Sequence, residues 1–164
     1  MNKAVMISIH PKWCELIADG KKTVEVRKTR PKIDIPFKCY IYETKGKTEY
    51  PTFIDEEGHE IYEGRGQVIG EFVCDNVSFY NSTSMSPNIG IYYEELKGAC
   101  LTQEDYQKYL SPSPFYKYSS FYAWHISNLR IYDKPKELKK FRLLNGDLIE
   151  KAPQSWCYVK EIIE

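Results

Sequence analysis

The sequence predicts an α+β domain built on a curved sheet or small open barrel. Three observations carry that reading: several strand-length apolar stretches, one helical pattern directly after the first strand, and long polar connections. The chain has 164 residues, 42% hydrophobic and 15% aromatic, which favors a single domain with a real core over disorder.

The elements follow in order. "VMISIHP" (Val5–Pro11) reads as a short, mostly buried strand, and Pro11 suits the first turn of a helix. In "PKWCELIADG", Trp13, Leu16 and Ile17 fall on one face at helical spacing, and Gly20 is a natural stop. A strongly basic stretch, "DGKKTVEVRKTRPK" (Asp19–Lys32), comes next and alternates like a strand. Thr23, Glu25, Arg27 and Thr29 lie on one side, with Val24 and Val26 on the other. "RPKIDIP" is a loop. "FKCYIYETK" (Phe37–Lys45) is a strand with Phe37, Cys39 and Ile41 opposite Lys38, Tyr40 and Tyr42.

Residues 46–66 form a polar excursion with a small hairpin around "EEGHEIY". "QVIGEFVCDNVSFY" (Gln67–Tyr80) reads as one strand, Asn81–Asn88 as a loop, and Tyr92–Leu96 as a helical region ending near Gly98. Thr102, with Asp105 three residues later, caps a helix over "QEDYQKYL". "FYAWHISNLRIYD" (Phe121–Asp133) reads as one long strand. A short helix, "KELKKF", and a last strand near "SWCYVKEI" close the chain. The expected organization is one domain over 1–164, with an insertion at 46–66 and a C-terminal extension from about residue 139.

Lysine plus arginine number 23 and aspartate plus glutamate 23, so the net charge is zero. Binding of long nucleic acid through phosphates alone would leave a basic excess. A small ligand or a short single strand, held by a local patch, fits better. The cysteines, Cys14, Cys39, Cys74, Cys100 and Cys157, show no CxxC spacing, and His10, His59 and His125 are scattered singly. No local metal site or cofactor is expected. The odd cysteine count and the lack of a signal peptide point to a reducing cytoplasm. No apolar run approaches a membrane span, so no membrane partner is expected.

The basic strand is the candidate site. Lys22 can bind a phosphate or, if burial lowers its pKa, act as a base. Arg27 offers a planar fork for phosphate or a base edge, and Glu25 can accept from an exocyclic amine. The competing structural reading is an ion pair that orients the rim. Tyr40 and Tyr42 are candidates for base stacking, or for ordinary cross-strand packing. Glu71, flanked by apolar residues, points into the cleft or outward. Tyr122 and His125 on the late strand complete the ligand-binding set, and His125 near Lys22 would permit acid–base cleavage of RNA.

The segments "ISIHPKWCELIADGKKTVEVRK", "CYIYETK", "VIGEF" and "YAWHISNLRIYDKPKEL" together resemble the ASCH domain family of the PUA-like superfamily. The most specific piece is "GKKTVEVR" (Gly20–Arg27), which matches G-x-K-T-x-E-x-R. The closing "KAPQSWCYVKE" is similar to the end of longer, prophage-type versions. The resemblance implies a small curved β-barrel of five or six strands, with flanking helices and a cleft beside the first helix. It implies RNA, a nucleotide or a modified nucleoside as ligand. Some relatives are amide hydrolases acting on N4-acetylcytidine and others are ribonucleases. In the amide hydrolases the motif carries a second threonine as nucleophile, and here that position is Glu25. A carboxylate can activate water but does not replace a hydroxyl nucleophile.

The expected function is therefore a binding domain for RNA, a nucleotide or a modified nucleoside. Its rival is a metal-independent ribonuclease or amide hydrolase, with Lys22 stabilizing charge, Glu25 as general base and Thr23 as positioning hydroxyl. A third reading is a protein-interaction module using the 46–66 insertion and the Tyr-rich helical region.

Overall fold

In the computed structural model, which describes residues 2–81, 93–110 and 120–163, strand β1 (Lys3–Ile9) is buried along nearly its whole length. Its Val, Met and Ile side chains serve two cores at once. Val5, Ile7 and Ile9 join the inner core, while Ala4 and Met6 join an outer one. Helix α1 (Pro11–Ala18) begins with proline in its first turn and buries Pro11, Cys14 and Ile17.

Gly20, at φ +74°, ends this helix in a Schellman motif. The Gly20 amide donates to the Ile17 carbonyl and the Lys21 amide to that of Leu16, each over 3.0 Å. The chain reverses tightly enough that the Lys22 amide also reaches the Leu16 carbonyl, at 2.9 Å. This turn places Lys22 at the mouth of β2 (Val24–Arg27).

Strand β3 (Phe37–Glu43) lies parallel to β1, and β6 (Gln67–Cys74) antiparallel to β3. With β9 (Ser127–Lys136) and β10 (Trp156–Lys160) they form a five-stranded sheet in the order β10-β1-β3-β6-β9. A second sheet has the order β2-β8-β7, where β7 is Val77–Asn81 and β8 is Ser120–His125. The inner core lies between the sheets and under α1, with Trp124 of β8 against Phe37, Cys39 and Phe72. Val24 and Val26 face the other way, onto Leu96 of α2 (Glu94–Lys97) and Tyr106 of α3 (Gln103–Leu110). Thr102 and Asp105 form the expected reciprocal cap, at 2.9 and 3.1 Å.

Two long strands read from sequence are each broken. Gln67–Tyr80 divides at Asp75–Asn76 and Phe121–Asp133 at Ile126, and at both breaks the chain leaves one sheet for the other. The breaks coincide: the His125 amide donates to the Asn76 carbonyl and the Ser127 hydroxyl to the Val73 carbonyl. Periodicity alone cannot show such a corner, because both halves keep strand character.

Residues 46–66 carry the small hairpin, β4 (Phe53–Ile54) with β5 (Glu60–Ile61). Arg65 ties it down by donating its backbone amide and guanidinium to Glu43, which is 3% exposed. The C-terminal segment crosses the outer face of the large sheet and buries Phe141 and Ile149 there. The observed architecture is α+β. Among the described residues the strands do not join into a closed barrel, since the large sheet ends at β9 and β10. Asn81, expected to open a loop, is the last residue of β7; the rest of that loop, 82–88, and the start of the helical region at Tyr92 lie outside the described residues. No described helix is long and apolar enough to cross a membrane.

Candidate functional site

Three charged side chains of the basic stretch meet at the seam between the sheets. Lys22 is 3% exposed and Glu25 is 6% exposed. The Lys22 ammonium donates to the Ala99 carbonyl at 2.6 Å and lies 3.4 Å from Glu25 Oε2 and 5.1 Å from the center of the Trp13 ring. Arg27 Nε donates to Glu25 Oε1 at 2.9 Å. The rest of its guanidinium reaches across to β1 and the C-terminal segment, with Nη2 on the Ser8 carbonyl at 2.7 Å and Nη1 on the Ser155 hydroxyl at 3.1 Å. Burying charge is tolerated only where each ion is paired and further hydrogen-bonded, and all three ions meet that condition.

The site is covered. Trp13, Lys22, Glu25, Val26 and Leu101 line a cavity of about 30 Å³, room for roughly one water. Its roof is the segment from Gly98 to Leu101, whose Cys100 sits at φ +57°, a region that side chains with a Cβ seldom adopt. Gly98 lets this roof approach β2: its carbonyl accepts from the Thr23 and Val24 amides, and a Cβ there would lie 2.2 Å from the Thr23 hydroxyl. Thr23 itself is exposed, does not line the cavity and does not share it with Lys22 and Glu25.

The other candidates lie elsewhere. Tyr40 is 1% exposed, with its ring edge-on to Phe141 and its hydroxyl accepting from the Ile162 amide. Tyr42 is buried in the same outer core. Neither ring has a face free for a base, because the C-terminal segment covers their side of the sheet. Glu71 is on that side too, accepting from the Tyr132 hydroxyl at 2.5 Å and facing Lys38 at 3.5 Å. His125 pins the sheet-switching corner, its Nδ1 2.5 Å from Asp75. That bond holds the Asp75 carboxyl below its usual range. Tyr122 lies opposite Arg27 in the β2–β8 register, beyond the Lys22 cavity.

Four contributors lacked a sequence signal as site residues: Trp13, read only as a core residue, and Ser8, Ala99 and Ser155. The two carbonyls and the serine act through backbone position or a short hydroxyl, which no spacing rule marks. Cys14 is buried, and desolvation pushes its thiol well above the ordinary range, with Glu43 adding to the effect. Among the described residues no group of three His, Cys, Asp or Glu side chains is placed to hold a metal.

The ASCH domain model matches residues 7–136, and the chain belongs to the ASCH domain family. The fold is similar to the crystal structure of an ASCH protein from Zymomonas mobilis, with a TM-score of 0.63, 18% identity, and coverage of 96% of this chain and 88% of that one. A mutant of the Zymomonas protein aligns at the same TM-score and 19% identity over 98% of this chain and 92% of its own. At this identity the similarity speaks for the fold. No curated protein matches the chain by sequence.

Proposed function

We propose that this member of the ASCH domain family binds RNA, a nucleotide or a modified nucleoside, with one base held at the Lys22–Glu25 pair. The observation that carries this reading is a desolvated lysine–glutamate pair walled by an aromatic ring and roofed by a short segment with a strained residue. Trp13, whose ring carries the Lys12 ammonium at 4.7 Å and the Lys22 ammonium at 5.1 Å, offers an indole face for stacking once a base displaces one of them. Glu25 offers carboxylate oxygens to an exocyclic amine, and Lys22 an ammonium to a carbonyl or phosphate. A base enters when Leu101 and Cys100 lift, and a ligand oxygen then takes the place of the Ala99 carbonyl on Lys22.

Binding is preferred to the ribonuclease and amide-hydrolase readings for two reasons. Taking up a proton at Glu25 would cancel the charge that pairs with Lys22 and Arg27, whereas accepting a hydrogen bond on a further lone pair would not, and the Thr23 hydroxyl lies outside the cavity. The test is a calorimetric screen of nucleosides, nucleotides and short RNAs against the wild type and Lys22→Met. Saturable binding that is lost in the folded variant is the expected result. Equal binding by both proteins overturns the site, and sustained turnover of any ligand overturns the binding-only reading.

A further inference from the structure

We propose that a groove at the far end of β2, formed by residues 28–34 and the ring of Tyr122, takes the phosphate backbone and one stacked base of a single-stranded RNA. The proposal rests on the RNA reading above and deepens it. The Lys22 cavity would read a base, and this groove would hold the strand that carries it.

Three observations lead there. First, the cavity bounded by residues 28–34, Ser120 and Tyr122 is about 630 Å³, far larger than the hole at Lys22 and large enough for a nucleotide. Lys28, Arg30 and Lys32 stand on it against a single acid, Asp34. In a chain of zero net charge such clustering is local, and short anionic strands are what a local patch can hold.

Second, the loop is held in shape before any ligand arrives. Arg30 donates Nε to the Pro31 carbonyl at 3.3 Å and Nη2 to the Ile33 carbonyl at 3.4 Å. Trp156 Nε1 donates to the Thr29 hydroxyl at 3.0 Å, and the Lys32 amide donates to the Tyr158 hydroxyl at 2.7 Å. A loop fixed at both ends loses less conformational entropy on binding. Burial also holds the Lys28 ammonium below its usual pKa, so a neighboring phosphate would favor its charged form.

Third, an aromatic platform flanks the cations. Phe79 is 54% exposed, and its ring lies 5.2 Å from that of Tyr122 at an interplanar angle of 49°. Cations beside exposed rings are the combination that binds unpaired bases, whereas a duplex hides its base faces. The register ties the groove to the first site, because Tyr122 lies directly across from Arg27.

The test measures binding of a fluorescent RNA of about six nucleotides, its duplex and a mononucleoside to the full chain at several salt concentrations. Lys28→Gln/Lys32→Gln and Phe79→Ala are compared with the wild type, with circular dichroism confirming the fold. The charge variant should weaken single-strand binding about tenfold and flatten the logarithmic salt slope by about 1.4, at roughly 0.7 for each phosphate contact. Phe79→Ala should weaken it at least about fivefold, and mononucleoside binding should not change in either variant. If the wild type binds the oligomer and the variants match it, the groove proposal is wrong and the Lys22 reading survives. The same holds if only the mononucleoside binds, or if the duplex binds as tightly as the single strand. If neither oligomer nor mononucleoside binds, both readings fail.

Discussion

Lys22 and Glu25 form an ion pair that the fold keeps almost dry, at 3.4 Å with 2% and 8% of their side chains exposed. Arg27 holds the other oxygen of Glu25, and the Ala99 carbonyl holds Lys22. The pair is therefore one link in a chain from the roof segment through β2 to β1, so the candidate site and the joint between the sheets share the same atoms.

One consequence is that Lys22 and Arg27 substitutions affect stability as well as binding. Lys22→Met leaves the Ala99 carbonyl and one Glu25 oxygen without their donor, and a loss of about 1–3 kcal/mol in urea unfolding is expected. Arg27→Lys should destabilize almost as much as Arg27→Ala, because an ammonium cannot bridge Glu25, Ser8 and Ser155 together. Full stability in Arg27→Lys would show that the bridging geometry is unimportant.

The close approach of Gly98 to Thr23 predicts strong coupling between them. Gly98→Ala places a Cβ 2.2 Å from the Thr23 hydroxyl, so the Thr23 side chain must rotate away or the roof or β2 must shift. A loss of about 1–3 kcal/mol is expected. Thr23→Ala in the same chain should recover much of it, since the clashing atom is gone. A double-mutant cycle that is additive within about 0.5 kcal/mol would refute the clash.

The corner pin predicts an acid-side stability change. The hydrogen bond from His125 lowers the Asp75 pKa in the folded state, so the unfolded chain binds the proton more readily. The contribution is complete above the ordinary aspartate value of about 3.9 and is lost as pH falls from there through the folded pKa. Wild type should therefore exceed Asp75→Asn in stability at pH 6, and the gap should narrow progressively as pH falls below the ordinary aspartate value of about 3.9. A gap that is constant across that range would mean the bond has no linkage to protonation.

Thiol reactivity should follow burial. Desolvation pushes the Cys14 and Cys39 thiols well above the ordinary range and that of Cys74 up to about 12. Iodoacetamide near pH 8, read by peptide mass spectrometry, should label the half-buried Cys100 first. Those three should react only after unfolding. Cys100 donates to the Lys21 carbonyl beside the roofed cavity, so a nucleoside bound there should change its labeling rate. Early labeling of Cys14 would contradict its place in the core.

Local patterns were readable where a short stretch decides the outcome. The alternation of "KKTVEVRK" sends Val24 and Val26 one way and Glu25 and Arg27 the other, because strand side chains alternate whatever lies beyond them. Gly20 and the Thr102–Asp105 pair mark helix ends for the same reason, since caps are made by neighbors in sequence. What covers a face is not local. Tyr40 and Tyr42 alternate with apolar residues as a polar face would, yet a segment up to 122 residues away buries them. The breaks at Asp75–Asn76 and Ile126, the roof over Lys22 and the carbonyls that satisfy its charge likewise arise only when distant strands pair. Sequence period determined which side each residue of β2 faces, and tertiary packing decided which of those sides is dry, charged and closed.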